Sequence, residues 1–249
     1  MLETDLKRHL APVWAHYTEI VAARGEGAYL HGIDGTRYLD FTCGIGVTNT
    51  GHCHPKVVAA IQEQAGRLLH GQINIVYHEP VLRLVETLLP EMPSGLDTFF
   101  FANSGAEAIE GAIKLARAAT GREAVICFQG SFHGRTTGAL ALTNSKARYR
   151  LHAGAPPGGY HVTTFPYCLH CARRGGDEGC CQQRLPDLRE LLATRVPPEM
   201  VAAVLVEPVL GEGGYVVPPA WFFPALRALC DQYGILLIAD EVQTGFGRT

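Results

Sequence analysis

Ile235-Leu236-Leu237-Ile238-Ala239-Asp240-Glu241-Val242-Gln243 reads as a buried strand that ends in a carboxylate. The apolar run is too short for a helix and shows no alternation, the pattern of a strand covered on both faces. An acid at the end of such a strand is costly without a partner, because a buried charge loses its hydration. Asp240 is therefore paired, a helix cap, or a metal ligand. One suitable partner is a protonated pyridine nitrogen. A neighbouring carboxylate raises the pKa of such a nitrogen and so preserves the ring's capacity to take up electrons.

Outward from this stretch, Thr98–Ala102, Ala124–Phe128 and Val201–Val206 have the same short apolar character and are predicted to be strands. Amphipathic segments lie between such runs. Pro55–Leu69 places Val58, Ile61, Ala65, Leu68 and Leu69 at helical spacing behind a proline suited to a first turn. Ala220–Tyr233 places Leu226, Leu229 and Tyr233 on one face, with Gly234 positioned to end the helix. The alternation predicts an α/β fold with a mostly parallel sheet and flanking helices. Ala153–Gly179, rich in Gly, Pro, His, Cys and Arg, is predicted to be a long surface excursion.

In such sheets ligands collect beyond the carboxyl ends of the strands. Four segments fall there: Asn103–Glu107, Gln129–Arg135, Glu207–Gly214 and Asp240–Gln243. In the first, Ser104 and Glu107 fit a capping box for a helix whose inner face is Ala106, Ile109, Ile113 and Ala116. Gly105 and Ala106 add no bulk, so their N–H groups could meet an anion at the positive end of the helix dipole. By itself this is also how an ordinary capped helix begins. In the second, a flat ring could stack on Phe132 beside His133, and Arg135 could bind a carboxylate bidentately. A surface turn with a core phenylalanine has the same composition. The third is a glycine-rich bend carrying Glu207 and Glu212.

Composition narrows the function. A chain of 249 residues, 47% hydrophobic and 18% charged, can bury a substantial core. A net charge of -3 provides no basic field for nucleic acid. The apolar runs fall far short of the ~20 residues needed to span a bilayer, and Met1 to Trp14 lacks the apolar centre of an export signal. These features predict a cytoplasmic protein acting on small molecules, with neither a nucleic-acid nor a membrane partner. Cys43, Cys53, Cys127 and Cys230 are scattered as reduced cysteines usually are. Cys168 and Cys171, followed by Cys180 and Cys181 and close to His161 and His170, could hold zinc, form a disulfide or stay unmetallated.

Taken together, Gly32–Phe41, Gly44–Pro55, Asn103–Ala108, Phe132–Thr136, Glu207–Gly214 and Asp240–Arg248 resemble the class III aminotransferases in order and spacing. Within that family the likeness is nearest to 4-aminobutyrate aminotransferases, through Gly44–Pro55 and the Glu207 bend. The resemblance implies a pyridoxal 5'-phosphate-dependent transferase of fold type I. Residues 1–54 would be the N-terminal segment of a small domain. Residues 55–249 would be the N-terminal part of the large cofactor domain, with the Cys-rich excursion 153–181 on it. A homodimer with sites at its interface is implied, and stacking into tetramers is left open.

Residue by residue, the resemblance implies that Gly105 and Ala106 hold the cofactor phosphate by their amides. Phe132 would stack on the ring with His133 close by, Asp240 would pair with the ring nitrogen, and Gln243 would bond the phenolic oxygen. Ser104, Glu207 and Val242 complete the cofactor-binding set, with Glu207 also supporting Arg135. Arg135 would bind the substrate carboxylate and Ile45 would pack on the substrate's carbon chain. Glu212 would alternately cover and release a second arginine, so that one pocket accepts both an ω-amino acid and 2-oxoglutarate. The implied reaction is transamination of an ω-amino acid, foremost 4-aminobutyrate. Acetylornithine or ornithine transamination and amino-acid racemisation are the alternatives within the family. The family's chemistry also needs a lysine that bonds the cofactor and moves the proton. The lysines here are Lys7, Lys56, Lys114 and Lys146, none of them beyond Asp240. The chain is therefore expected to be a C-terminally truncated fragment, inactive alone or at most a cofactor-binding module.

Overall fold

Short antiparallel pairing opens the chain. In the computed structural model, which describes residues 6–13, 16–167 and 184–249, β1 (Ala22–Glu26) pairs with β2 (Tyr29–Gly32), and β2 with β3 (Arg37–Leu39). These strands lack the long apolar runs that marked the others, so composition did not reveal them. The β2–β3 turn is shaped by Asp34, whose Oδ1 accepts the Thr36 N–H at 3.0 Å, and by Gly35 at a φ of 82°. Helix α1 (Pro55–Ala65) starts on its proline and ends at Gly66, short of Leu69. Its predicted inner face is open, with Ile61 62% exposed. These elements belong to the first of two units, Met1–His78; the second is Glu79–Thr249.

The second unit holds α2 (Glu79–Leu88), α3 (Gly105–Thr120), β4 (Ala124–Phe128), α4 (Thr137–Leu142), β5 (Tyr160–Thr163), α5 (Arg184–Thr194), β6 (Val201–Val206), α6 (Phe222–Tyr233) and β7 (Leu236–Ala239). The strands form a parallel sheet in the order β5-β4-β6-β7. Strands β4 and β6 are buried along their whole length. Their side chains divide by the two-residue period of a strand. Ala124, Ile126, Phe128, Val204 and Val206 pack with Leu188 of α5 and Phe222, Leu226 and Leu229 of α6. Val125, Cys127 and Leu205 pack with Ile109 and Ile113 of α3 and Ala139 and Leu142 of α4. Burial pushes the Cys127 thiol up to about 12, so it remains an uncharged core residue.

Two features fix the frame. Phe128, Phe165 and Phe222 meet edge to face with centroids 5.5–5.9 Å apart. Arg122 Nη1 lies 3.1–3.4 Å from the carbonyl oxygens of Pro198, Val201, Tyr233 and Gly234, pinning the entrance of β6 to the end of α6. Gly234 closes α6 in the left-handed conformation, as its position predicts.

Three expectations need correction. Thr98–Ala102 is not a strand: the Phe99 and Phe101 rings stack at 6.4 Å, and Phe100 is 80% exposed. No strand is recorded beside it among the described residues, and pairing is what makes a strand. The tract Ala153–Gly179 is not wholly a surface excursion, because Tyr160–Thr163 within it is β5, hydrogen-bonded to β4. The strand ending at Asp240 is not buried along its length as β4 and β6 are, since Leu236 and Ala239 are exposed, Leu236 at 40%. Cys168, Cys171, Cys180, Cys181 and His170 lie outside the described residues. No helix among the described residues is long and apolar enough to cross a membrane.

Candidate active site

The carboxyl ends of β4, β6 and β7 deliver three loops to one place, and the start of α3 joins them. A Cβ added to Gly105 would stand 2.9 Å from Val242 Cγ1, so the turn after β7 packs directly on the first residue of α3. A Cβ added to Gly134 would stand 2.8 Å from Ala106 Cβ, so the loop after β4 packs on the second. Gly134 has a φ of 126°, open to glycine and strained for other residues. The two ends of the predicted site, residues 105–106 and Asp240, are thus neighbours.

Helix α3 begins as its sequence predicts. Ser104 Oγ accepts the Glu107 N–H at 3.2 Å, and Glu107 Oε2 reaches back to the Asn103 N–H at 2.6 Å. Ile109, Ile113 and Ala116 are buried, and Ala106 packs against the same core. The cap uses the Glu107 amide and leaves the N–H groups of Gly105 and Ala106 at the positive end of a sixteen-residue helix.

Asp240 is 6% exposed. Its N–H continues the ladder to Val206 O at 2.8 Å, its Oδ1 accepts the Val242 N–H at 3.1 Å, and its Oδ2 lies 2.7 Å from His133 Nδ1. The buried acid is therefore paired by an imidazole and a backbone amide. His133 Nε2 is buried and has no hydrogen-bond partner in the protein. It leaves an unused polar position beside Asp240.

Glu207 and Glu212 share one bend but are held differently. Glu207 accepts the N–H groups of Phe132 and Gly211, each at 2.8 Å. Burial pushes its carboxyl above the ordinary glutamate range, and those two amides oppose the shift. Glu212 receives Ser145 Oγ at 2.5 Å, Lys146 Nζ at 2.7 Å and the Tyr149 hydroxyl. Partial burial works against its charge, but these three donors outweigh it and lower its pKa. The Tyr149 ring also meets the edge of Phe132, with centroids 5.6 Å apart. Gln243 Oε1 sits where a Gly211 side chain would be, 1.9 Å from an added Cβ.

The structure thus brings together Ser104, Gly105, Ala106, Phe132, His133, Glu207, Glu212, Asp240, Val242 and Gln243. Arg135 is exposed, and both Glu207 oxygens go to backbone amides, so the expected support of Arg135 by Glu207 is not made. Ile45 belongs to the first unit and is 73% exposed, in a turn with a φ of 58°. Sequence reasoning missed Thr143–Tyr149, which supply the donors to Glu212 and a template for the His133 loop. The signal was the polar run Thr143-Asn144-Ser145 directly after an apolar helix.

Comparison with known proteins follows the same outline. The family model described as aminotransferase class-III matches residues 10–249. The chain is 43% identical over 251 residues to a 5-aminovalerate aminotransferase of Pseudomonas aeruginosa, covering 99% of this chain and 57% of that protein. It is 41% identical over 231 residues to the 4-aminobutyrate aminotransferase of Escherichia coli, covering 92% and 53%. Among solved structures, a thermostable (S)-enantioselective omega-transaminase from Thermomicrobium roseum superposes with a TM-score of 0.89 at 35% identity, covering 98% of this chain and 57% of that one. The chain spans little more than half the length of these relatives.

Proposed function

The chain belongs to the class III aminotransferase family, and from that membership we propose that it binds pyridoxal 5'-phosphate. We further propose that the protein transfers the amino group of an ω-amino acid, foremost 4-aminobutyrate, to 2-oxoglutarate. The observation that carries this reading is the meeting of Asp240, paired with His133, and the capped start of α3 through the Val242–Gly105 contact. One flat ligand carrying a ring nitrogen and a phosphate would engage both neighbours at once.

The donor set fits the group. The Gly105 and Ala106 amides would take the phosphate at the helix terminus, with Ser104 fixing that terminus. Asp240 would face the ring nitrogen, its negative charge favouring a proton there. His133 and the Val242 amide hold that carboxylate in one orientation. Phe132 would cover the ring and exclude water, and Gln243 would meet the phenolic oxygen. Glu207 ties the Phe132 loop to the β6 bend through two amides. When bound, the cofactor supplies an electron-accepting ring that stabilises negative charge on the substrate carbon. Exposed Arg135 would receive the substrate carboxylate, and Glu212 would exchange its present donors for a second arginine.

Of the lysines in the second unit, Lys114 is exposed and Lys146 is engaged by Glu212. The proposed setting is cytoplasmic, and the proposed assembly a homodimer.

The test is glutamate formation from 2-oxoglutarate by the whole protein with 4-aminobutyrate, 5-aminovalerate or N-acetylornithine as donor. The highest kcat/KM is expected with 4-aminobutyrate. A preference for N-acetylornithine would move the assignment to that substrate, and glutamate from none of them would overturn amino transfer to 2-oxoglutarate.

A further inference from the structure

One buried hydroxyl sits behind the His133–Asp240 pair without touching either side chain. Thr143 follows α4 and is fully buried. Its Oγ1 accepts the His133 N–H at 2.8 Å and donates to Gly134 O at 2.8 Å. A single hydroxyl thus satisfies a donor and an acceptor from adjacent residues of the loop, both buried away from water. Thr143 is itself fixed. Its N–H bonds Ala139 O at 3.0 Å, and its carbonyl accepts Arg150 Nη2 at 2.7 Å and Nε at 3.1 Å.

The neighbouring residues extend the same template. Asn144 Oδ1 accepts the Gly130 N–H at 2.7 Å, and Asn144 Nδ2 donates to Phe128 O at 3.0 Å. The N–H groups of Asn144 and Ser145 both reach Ser131 O, at 2.9 and 3.0 Å. The loop from β4 is therefore laid down on Leu142–Ser145 one peptide at a time, and Thr143 is the point of attachment at His133.

The His133 ring makes its side-chain bond through Nδ1 alone, because Nε2 has no partner. One bond at one nitrogen does not by itself fix the plane of this fully buried ring. Its tilt and depth are shared between the surrounding packing and the backbone at His133. Gly134 cannot absorb a shift, since Ala106 and Ala139 already crowd the place of its missing Cβ at 2.8 and 3.0 Å.

We propose that Thr143 is a positioning residue which, through the His133 and Gly134 peptides, sets the imidazole against Asp240 and thereby the orientation of the Asp240 carboxylate toward the cofactor. The second half of this statement rests on the cofactor reading above; the first half does not.

The test pairs Thr143→Val, which keeps the shape and removes the hydroxyl, with Thr143→Ser, which keeps the hydroxyl. Two readouts are taken on the whole protein. The first is the His133 Nδ1–H proton resonance in cofactor-free protein. It should be present in wild type and Thr143→Ser, and shifted or broadened away in Thr143→Val. The second is pyridoxal phosphate affinity by absorbance titration. It should fall about tenfold or more in Thr143→Val, since a carboxylate turned away from the ring nitrogen loses a charge-assisted contact made only in the bound state, and stay within about twofold in Thr143→Ser. Combined with Asp240→Asn, the affinity loss should be far less than additive.

An unchanged His133 resonance in Thr143→Val, or full additivity with Asp240→Asn, overturns the proposal. If Thr143→Val does not fold, Thr143→Ser decides: a tenfold affinity loss with the hydroxyl retained would contradict it. Failure of the wild-type protein to bind the cofactor would sink the function reading, while the resonance would still judge the role of Thr143 at His133.

Discussion

The two units of this chain spend their apolar residues in opposite ways. In Glu79–Thr249, β4 and β6 are fully buried, with α5 and α6 turning leucine and phenylalanine into one core cluster and α3 turning isoleucine into another. In Met1–His78, Phe41 is 88% exposed and Ile75 80%, and α1 buries no residue along its length. The patterns in sequence are alike, for Pro55–Leu69 and Ala220–Tyr233 both place apolar residues at helical spacing. Periodicity therefore announces that a helix has a face to cover, but not what covers it. Polar contacts hold the turn at Asp40 in the first unit. Asp40 accepts the Thr42 and Cys43 amides and the Thr42 hydroxyl, and pairs with His52 at 2.8 Å.

The sharpest break between the units should come from Phe222, the ring shared by the aromatic cluster of the second. Phe222→Ala is expected to cost about 3–5 kcal/mol in chemical denaturation, as transfer and cavity losses add. A cost below about 1 kcal/mol would mean that the core is not packed as described. Next comes Arg122→Met, which leaves carbonyls of β6 and α6 without their shared donor. A loss of about 1–3 kcal/mol is expected by the same measurement.

For the first unit, Asp40 tests polar holding through pH. Its carboxyl is lowered from 3.8 to about 2, by the Thr42 hydroxyl first and His52 second, against the opposing effect of burial. A depressed folded pKa adds stability that is complete above the unfolded value and is lost as pH falls toward the folded one. The stability gap between wild type and Asp40→Asn should therefore be constant above about pH 5 and close between 3.8 and about 2. A gap that widens on acidification would contradict this pairing. The smallest effect is expected for Ile61→Ala on the open face of α1, about 0.5 kcal/mol or less. A loss comparable to that of Phe222→Ala would show that this face is packed in the working protein.

Legibility followed the same division. The parallel sheet was readable from Ala124–Phe128 and Val201–Val206, whose uninterrupted apolar runs leave little choice but a two-sided strand. Tyr160–Thr163 was hidden because it is short, mixed and embedded in a glycine- and proline-rich tract. Thr98–Ala102 shows the reverse case, since apolar composition does not supply the pairing that only a neighbouring strand can give. At the candidate site the loops were legible, because each follows a strand and carries residues with an evident chemical use. How they are supported was not. The hydroxyl of Thr143 and the Glu207 contacts act on backbone groups, and a sequence does not say which amide a side chain will meet. The exposed position of Arg135 likewise follows from the loop's path rather than from its residue type.

The most direct measurement is a crystal structure of the protein soaked with pyridoxal phosphate. The phosphate is predicted at the Gly105 and Ala106 amides, with the ring nitrogen within hydrogen-bond distance of Asp240. A cofactor bound elsewhere, or one whose nitrogen faces away from Asp240 while the His133 contact persists, would contradict the account.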